Sequence, residues 1–108
     1  MEEIFEGSGN VYADIGVPDA EAMFVKAQLA TAIGGIIDAK GLTQQQAAKV
    51  VGMTQPKLSH MLNGRFRGIS EAKMMDCLAR LGRDVKIVVS RERPRRRTPG
   101  RVLVLQEA

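Results

Sequence analysis

The 108-residue sequence predicts a mainly α-helical fold: a compact bundle of four helices, two of them forming a helix-turn-helix, followed by a C-terminal β-strand. Three observations predict it. Between Asp19 and Gly82, apolar residues recur at helical spacing in four stretches, each opened by a capping residue and closed by glycine. After Gly82 the period changes to two, in "RDVKIVVS". Aromatic residues are scarce (three Phe, one Tyr, no Trp), so Leu, Ile, Val, Met and Ala must fill the core, which suits helices. With 44% hydrophobic and 26% charged residues the chain can pack one ordinary domain, whereas its length is too short for two.

Residues 1–18 mix Glu, Gly, Ser, Asn and Pro without a sustained period and read as an irregular acidic arm. The first helix is expected at about 19–40, with Asp19 as its cap, Val17 and Met23 as a hydrophobic staple, and Gly41 as its stop. Its apolar stripe is Met23, Leu29, Ile33, Ile36 and Ile37. Thr43 and Gln46 match a capping box, in which a hydroxyl and an amide side chain reciprocally satisfy free backbone donors, and a second helix follows at about 44–51. Gly52 supplies the turn. Thr54 caps a third helix that tolerates Pro56 in its first turn, where that residue's missing N–H would have had no partner, and Asn63-Gly64 ends it at about 62. Ser70 caps a fourth, whose apolar face is Met74, Met75, Leu78 and Leu81. The strand is expected at about 84–90, with Val85, Ile87 and Val89 on one side. A lone strand needs a partner. Two are available: the same strand of a second subunit, making a two-fold dimer, or "RVLVLQ" near the C-terminus, reached through "RERPRRRTPG". The organisation is thus an arm at 1–18, a helix-turn-helix domain with its terminal strand at 19–90, and a basic tail at 91–108.

Charge is unevenly distributed. Residues 1–22 carry −6, while residues 23–82 and 83–108 carry +5 each. A basic body favours a polyanion. Cys77, the only cysteine, excludes an intramolecular disulfide and a cysteine zinc cluster, and reads as a small core residue. "MEEIFEGSGN" is acidic where a signal peptide is basic, and no apolar run reads as membrane-spanning, so a cytoplasmic protein without a membrane partner is expected.

In the window from Gln44 to Asn63, Ala47, Ala48, Val51, Met53, Leu58 and Met61 fall where two short, steeply crossing helices must touch each other or the core, and Gly52 falls at the turn. The second helix of such a motif enters the DNA major groove, so its outward residues should be polar. They are. Candidate base contacts are Thr54, Gln55, Pro56, Ser59 and His60: Gln55 can donate and accept to adenine, Ser59 and His60 can bond base edges, and the Pro56 ring can pack on a thymine methyl. Gln44, Lys57, Asn63, Arg65 and Arg67 are candidate phosphate contacts, which fix register without reading sequence.

"LTQQQAAKVVGMTQPKLSHMLNGR" resembles the helix-turn-helix core of the phage-repressor (Cro and cI-like, XRE) family in its Leu-Thr-Gln opening, Ala-Ala pair, Gly turn, Thr-Gln start and Asn-Gly exit. The resemblance implies a repressor-like bundle of four or five helices that binds operator DNA, usually as a dimer, with Gln44, Thr54, Gln55, Pro56 and His60 at contact positions. Pro56 departs from the commonest polar choice. More widely, "SGNVYADIGVPDAEAMFVKAQL" and "LARLGRDVKIVV" are similar to HigA-type antitoxins, which implies neutralisation of a RelE-like ribonuclease toxin and repression of the shared operon.

Other features admit plainer readings. The run Arg91, Arg93, Arg95, Arg96 and Arg97 is either a solvated tail or a follower of the DNA backbone. "GSGN" lacks a preceding strand and has Tyr12 at the third position of a dinucleotide fingerprint. With His60 as the only histidine, no multi-histidine metal site, cofactor or catalytic constellation is expected, and the chain reads as a non-enzyme. A second class of function stays open: an interaction module that inhibits a partner through the arm at 1–22 and the strand at 84–90, with only generic DNA binding.

Overall fold

The computed structural model describes residues 2–4 and 19–107, and it is a helical bundle with a two-stranded ribbon. In chain order the elements are β1 (Glu2–Ile4), α1 (Ala20–Ala39), α2 (Gln44–Val51), α3 (Gln55–Leu62), α4 (Glu71–Arg80) and β2 (Leu105–Glu107). Helix α1 packs on α3 and α4, and α2 packs on α3 and α4. The shared core includes Leu29, Ile33, Ile37, Ala47, Val51, Leu58, Met61, Phe66, Met74 and Cys77. The expected stripe of α1 is buried throughout, as are Met74, Leu78 and Leu81, with Met75 half-buried beside them.

The helix ends show why the boundaries fall where they do. Thr43 Oγ1 accepts from the Gln46 amide at 3.1 Å while Gln46 Oε1 accepts from the Thr43 amide at 2.9 Å, a complete capping box. At the other end of α1, Gly41 at φ +67 lets its own amide reach Asp38 O and the Leu42 amide reach Ile37 O, closing the last carbonyls. Asp19 departs from expectation. It stands at the N-cap of α1 but at φ 60, ψ 34, and its side chain makes no cap hydrogen bond, because a capping side chain reaches the first-turn amides from extended backbone instead. The proposed staple partner Val17 lies outside the described residues. Thr43→Ala removes an amide's acceptor at the start of α2 and is expected to cost about 1 kcal/mol in urea unfolding.

The strand assignment is corrected. Residues 84–90 form no strand in the single chain, and Val85, Ile87 and Val89 are 40%, 80% and 92% exposed. Strand geometry is defined by a ladder, and the partner expected within the chain does not supply one. "RVLVLQ" is engaged elsewhere: β2 pairs antiparallel with β1 in the register Glu2↔Glu107, Glu3↔Gln106 and Ile4↔Leu105. Part of the arm expected to be irregular is therefore strand, and the C-terminal strand lies at 105–107, overlapping the "RVLVLQ" segment of the basic tail but paired with the arm rather than with 84–90. Most of the arm, residues 5–18, lies outside the described residues.

Helix α1 is also, by length and composition, apolar enough to cross a membrane, which the expectation of no such run overlooked. Its apolar side chains are packed against α3 and α4, the ordinary condition of a core helix.

Candidate nucleic-acid interface

Helix α2 ends at Gly52, which takes φ 71, ψ 38 and donates its amide to Ala48 O. A Cβ there would be strained by that backbone and would sit 3.4 Å from an Arg80 guanidinium nitrogen. Thr54 then caps α3, its hydroxyl accepting from the Lys57 amide at 3.3 Å, with Pro56 in the first turn. Only Leu58 and Met61 of α3 are fully buried. Thr54, Gln55, Pro56, Lys57 and His60 are exposed, Ser59 is half-buried, and Gln44 at the start of α2 is half-buried. A two-turn helix whose apolar side is spent on the bundle presents a hydrogen-bonding face to solvent, and a helix of this width fits the major groove.

The chain compares with known proteins as this geometry would require. A family model for a helix-turn-helix domain matches residues 11–90. A solved structure described as a "Putative XRE Family Transcriptional Regulator" is similar at 40% identity and a TM-score of 0.73, covering 81% of this chain and 97% of that one. The chain belongs to the XRE helix-turn-helix family. No curated protein matches it.

Within this XRE domain, two sets of contacts missed by the sequence reading hold the motif in place. Lys73 Nζ donates to Val51 O at 3.2 Å, satisfying a carbonyl at the end of α2, and also lies 3.5 Å from Asp76, which Arg80 Nε meets at 2.9 Å. The Arg80 hydrogen bond, reinforced by the charges of Arg80 and Lys73, holds the Asp76 carboxyl below its usual range. Beneath them, the Cys77 thiol donates to Met53 Sδ at 3.7 Å, and burial pushes that thiol's pKa up, as befits an unreactive core position. At the exit of α3 Lys26, with a side chain only 12% exposed, donates to Arg67 O at 3.0 Å and pairs with Glu71 at 3.5 Å, so α1 grips the loop leaving α3. The i,i+3 and i,i+4 spacing of Lys73, Asp76 and Arg80 was a visible signal; the reach of Lys26 across 41 positions was not.

These pairs also sort the basic residues of the XRE domain. Lys26, Lys73 and Arg80 are compensated by carboxylates, whereas among the described residues no ion pair engages Lys57, Arg65 or Arg67, all exposed around α3 and its exit. These three uncompensated cations lie beside the hydrogen-bonding face, while Lys40 at the end of α1, Lys49 in α2 and Arg83 after α4 are also without an ion pair among the described residues. Asn63 is differently placed: its Nδ2 donates to Ser59 O at 2.8 Å and lies 3.4 Å from Ser59 Oγ, closing the end of α3. A phosphate contact from Asn63, or a base contact from Ser59, has to share or displace those bonds.

Proposed function

We propose that this XRE-family protein is a sequence-specific transcriptional repressor that binds operator DNA as a two-fold dimer, placing α3 of each subunit in the major groove of one half-site. The observation that carries it is the outward face of α3, where Thr54, Gln55, Pro56 and His60 are exposed while Leu58 and Met61 are fully buried. Gln55 and His60 read base edges, Thr54 and Pro56 add a hydroxyl and an apolar contact, and Lys57, Arg65 and Arg67 neutralise phosphates. Selection of random duplex DNA by the full chain at two salt concentrations tests this. An inverted repeat that persists at the higher salt is expected; enrichment of nothing would leave only generic binding to a basic surface.

The dimer is supported by the exposed apolar positions of 84–90, which have no strand partner among the described residues. Pairing with the same segment of a second copy would cover them, and the recognition helices of such a two-fold dimer should address half-sites roughly 34 Å apart, one turn of DNA. Because Ile87 is exposed in the single chain, Ile87→Lys is expected to yield a monomer by light scattering that keeps the wild-type helical content by circular dichroism. A wild-type monomer at micromolar concentration, with and without DNA, would remove the dimer. The antitoxin role, in which the protein would neutralise a RelE-like toxin and repress the operon both share, is supported by the HigA-like flanking segments. Val85, Ile87 and Val89 also favour the second reading, an inhibitory interaction module, since an exposed apolar edge can complete a partner's sheet. Retained partner inhibition after loss of operator binding would separate the two.

A further inference from the structure

The arginines at 91–97 differ from every compensated cation of the chain. Ion pairs among the described residues engage Lys26, Lys73, Arg80, Lys86 and Arg101, and none engages Arg91, Arg93, Arg95, Arg96 or Arg97. All five are exposed, and Glu92 is the sole acidic residue among them. Nor is the segment a free tail. It leaves α4 where the Arg83 amide bonds Leu78 O, and it is fastened on return by Arg101, which lies 5.6 Å from the Phe24 ring centroid and 3.5 Å from Glu21. Val104 packs against the core, and β2 pairs with β1.

At the apex the Arg96 amide donates to Arg93 O at 3.2 Å, with Pro94 in the second position and Arg95 at φ 69 in the third. This has the form of a type II turn, whose third position favours Gly or Asn. An arginine there places a guanidinium at the tip, beside others on both flanks. Uncompensated guanidinium groups at a fastened turn suit phosphate oxygens, which they bind in bidentate fashion.

The geometry points to a second nucleic-acid contact: the Arg91–Arg97 turn binds backbone phosphates of duplex DNA flanking the half-site read by α3. This rests on the operator reading above, which brings duplex DNA to the same chain. Residues 83–93 span at most about 36 Å, close to one DNA turn, so the flank within reach is about 10 base pairs.

The test measures affinity of the full chain across a salt series for two duplexes, one trimmed to the selected inverted repeat and one extended by about 10 base pairs on each side. The variant carries Arg91→Gln, Arg93→Gln, Arg95→Gln, Arg96→Gln and Arg97→Gln; a companion carries Lys at the same positions. Wild type is expected to bind the extended duplex at least about tenfold more tightly. The Gln variant should keep the sequence choice, lose that gain, and show a salt slope shallower by about 2 to 4 per chain at roughly 0.9 per phosphate, and the Lys variant should recover most of the slope. An unchanged slope with an unchanged gain would overturn the inference. So would a substitution effect confined to phosphatidylserine vesicles, which would make a lipid surface the occupant. If the selection yields no operator, the same slopes are measured on generic duplex: a fall in the Gln variant sustains this contact while the operator reading fails.

Discussion

Gln55→Ala combined with His60→Ala is expected to leave the melting temperature within a few degrees of wild type while weakening operator binding by between about 30-fold and 10⁴-fold for each half-site. The stability half follows from exposure, since both side chains face solvent and neither belongs to the core. Alanine also costs a helix nothing in propensity. The binding half follows from the cost of a lost base contact, about 1 to 3 kcal/mol each, summed over two positions and converted at 1.4 kcal/mol per decade. Neither residue is assigned to a phosphate, so the salt slope should stay that of wild type, in contrast to the arginine turn. Titration of the selected duplex and a scrambled one against both proteins checks all three quantities. Unchanged preference for the selected duplex would remove α3 as the reader, whatever the affinity.

Local chemistry made the helices legible. Thr43 and Gln46, Thr54, and Ser70 form their cap bonds as the residue types and spacing require, and the glycines at 41, 52, 64 and 82 all take positive φ. The exposed row on α3 was legible for the same reason, because one helix turn fixes which neighbours share a face. Asp19 failed because residue type alone does not fix φ. The segment 84–90 is unpaired in the single chain because alternation shows only that a segment could pair; pairing needs a second segment at the right place, and "RVLVLQ" joins Glu2–Ile4 instead, which leaves a second copy as the expected partner. Nothing in the three residues of β1 signals that partner. Lys26 and Lys73 count toward the +5 of residues 23–82, yet their ammonium groups bond carbonyls 41 and 22 positions away. Such bonds exist only after the helices have packed, so sequence spacing cannot announce them. The consequence for the site is concrete: the binding charge is carried by fewer residues than composition implied.

Leu58→Ala tests the other side of α3 and should give the converse result. Leu58 is fully buried, and with Met61 it is half of the fully buried anchorage of an eight-residue helix. A helix this short has little stability of its own, so docking holds it in place. Deleting three buried carbons and leaving a cavity is expected to cost about 2 to 5 kcal/mol, against a total of roughly 4 to 10 kcal/mol for a bundle of this size. The urea midpoint should fall by about a fifth or more, with operator affinity lost in proportion to the unfolded or undocked fraction. Leu58→Met, which conserves volume, should cost less than about 1.5 kcal/mol and restore binding. The pair separates docking from contact: Leu58→Ala moves stability first and binding through it, while Gln55→Ala with His60→Ala moves binding alone. A loss below 1 kcal/mol for Leu58→Ala with full operator affinity would mean that α3 is held by something other than its buried face, and the exposed row on the opposite side would no longer be fixed in orientation toward DNA.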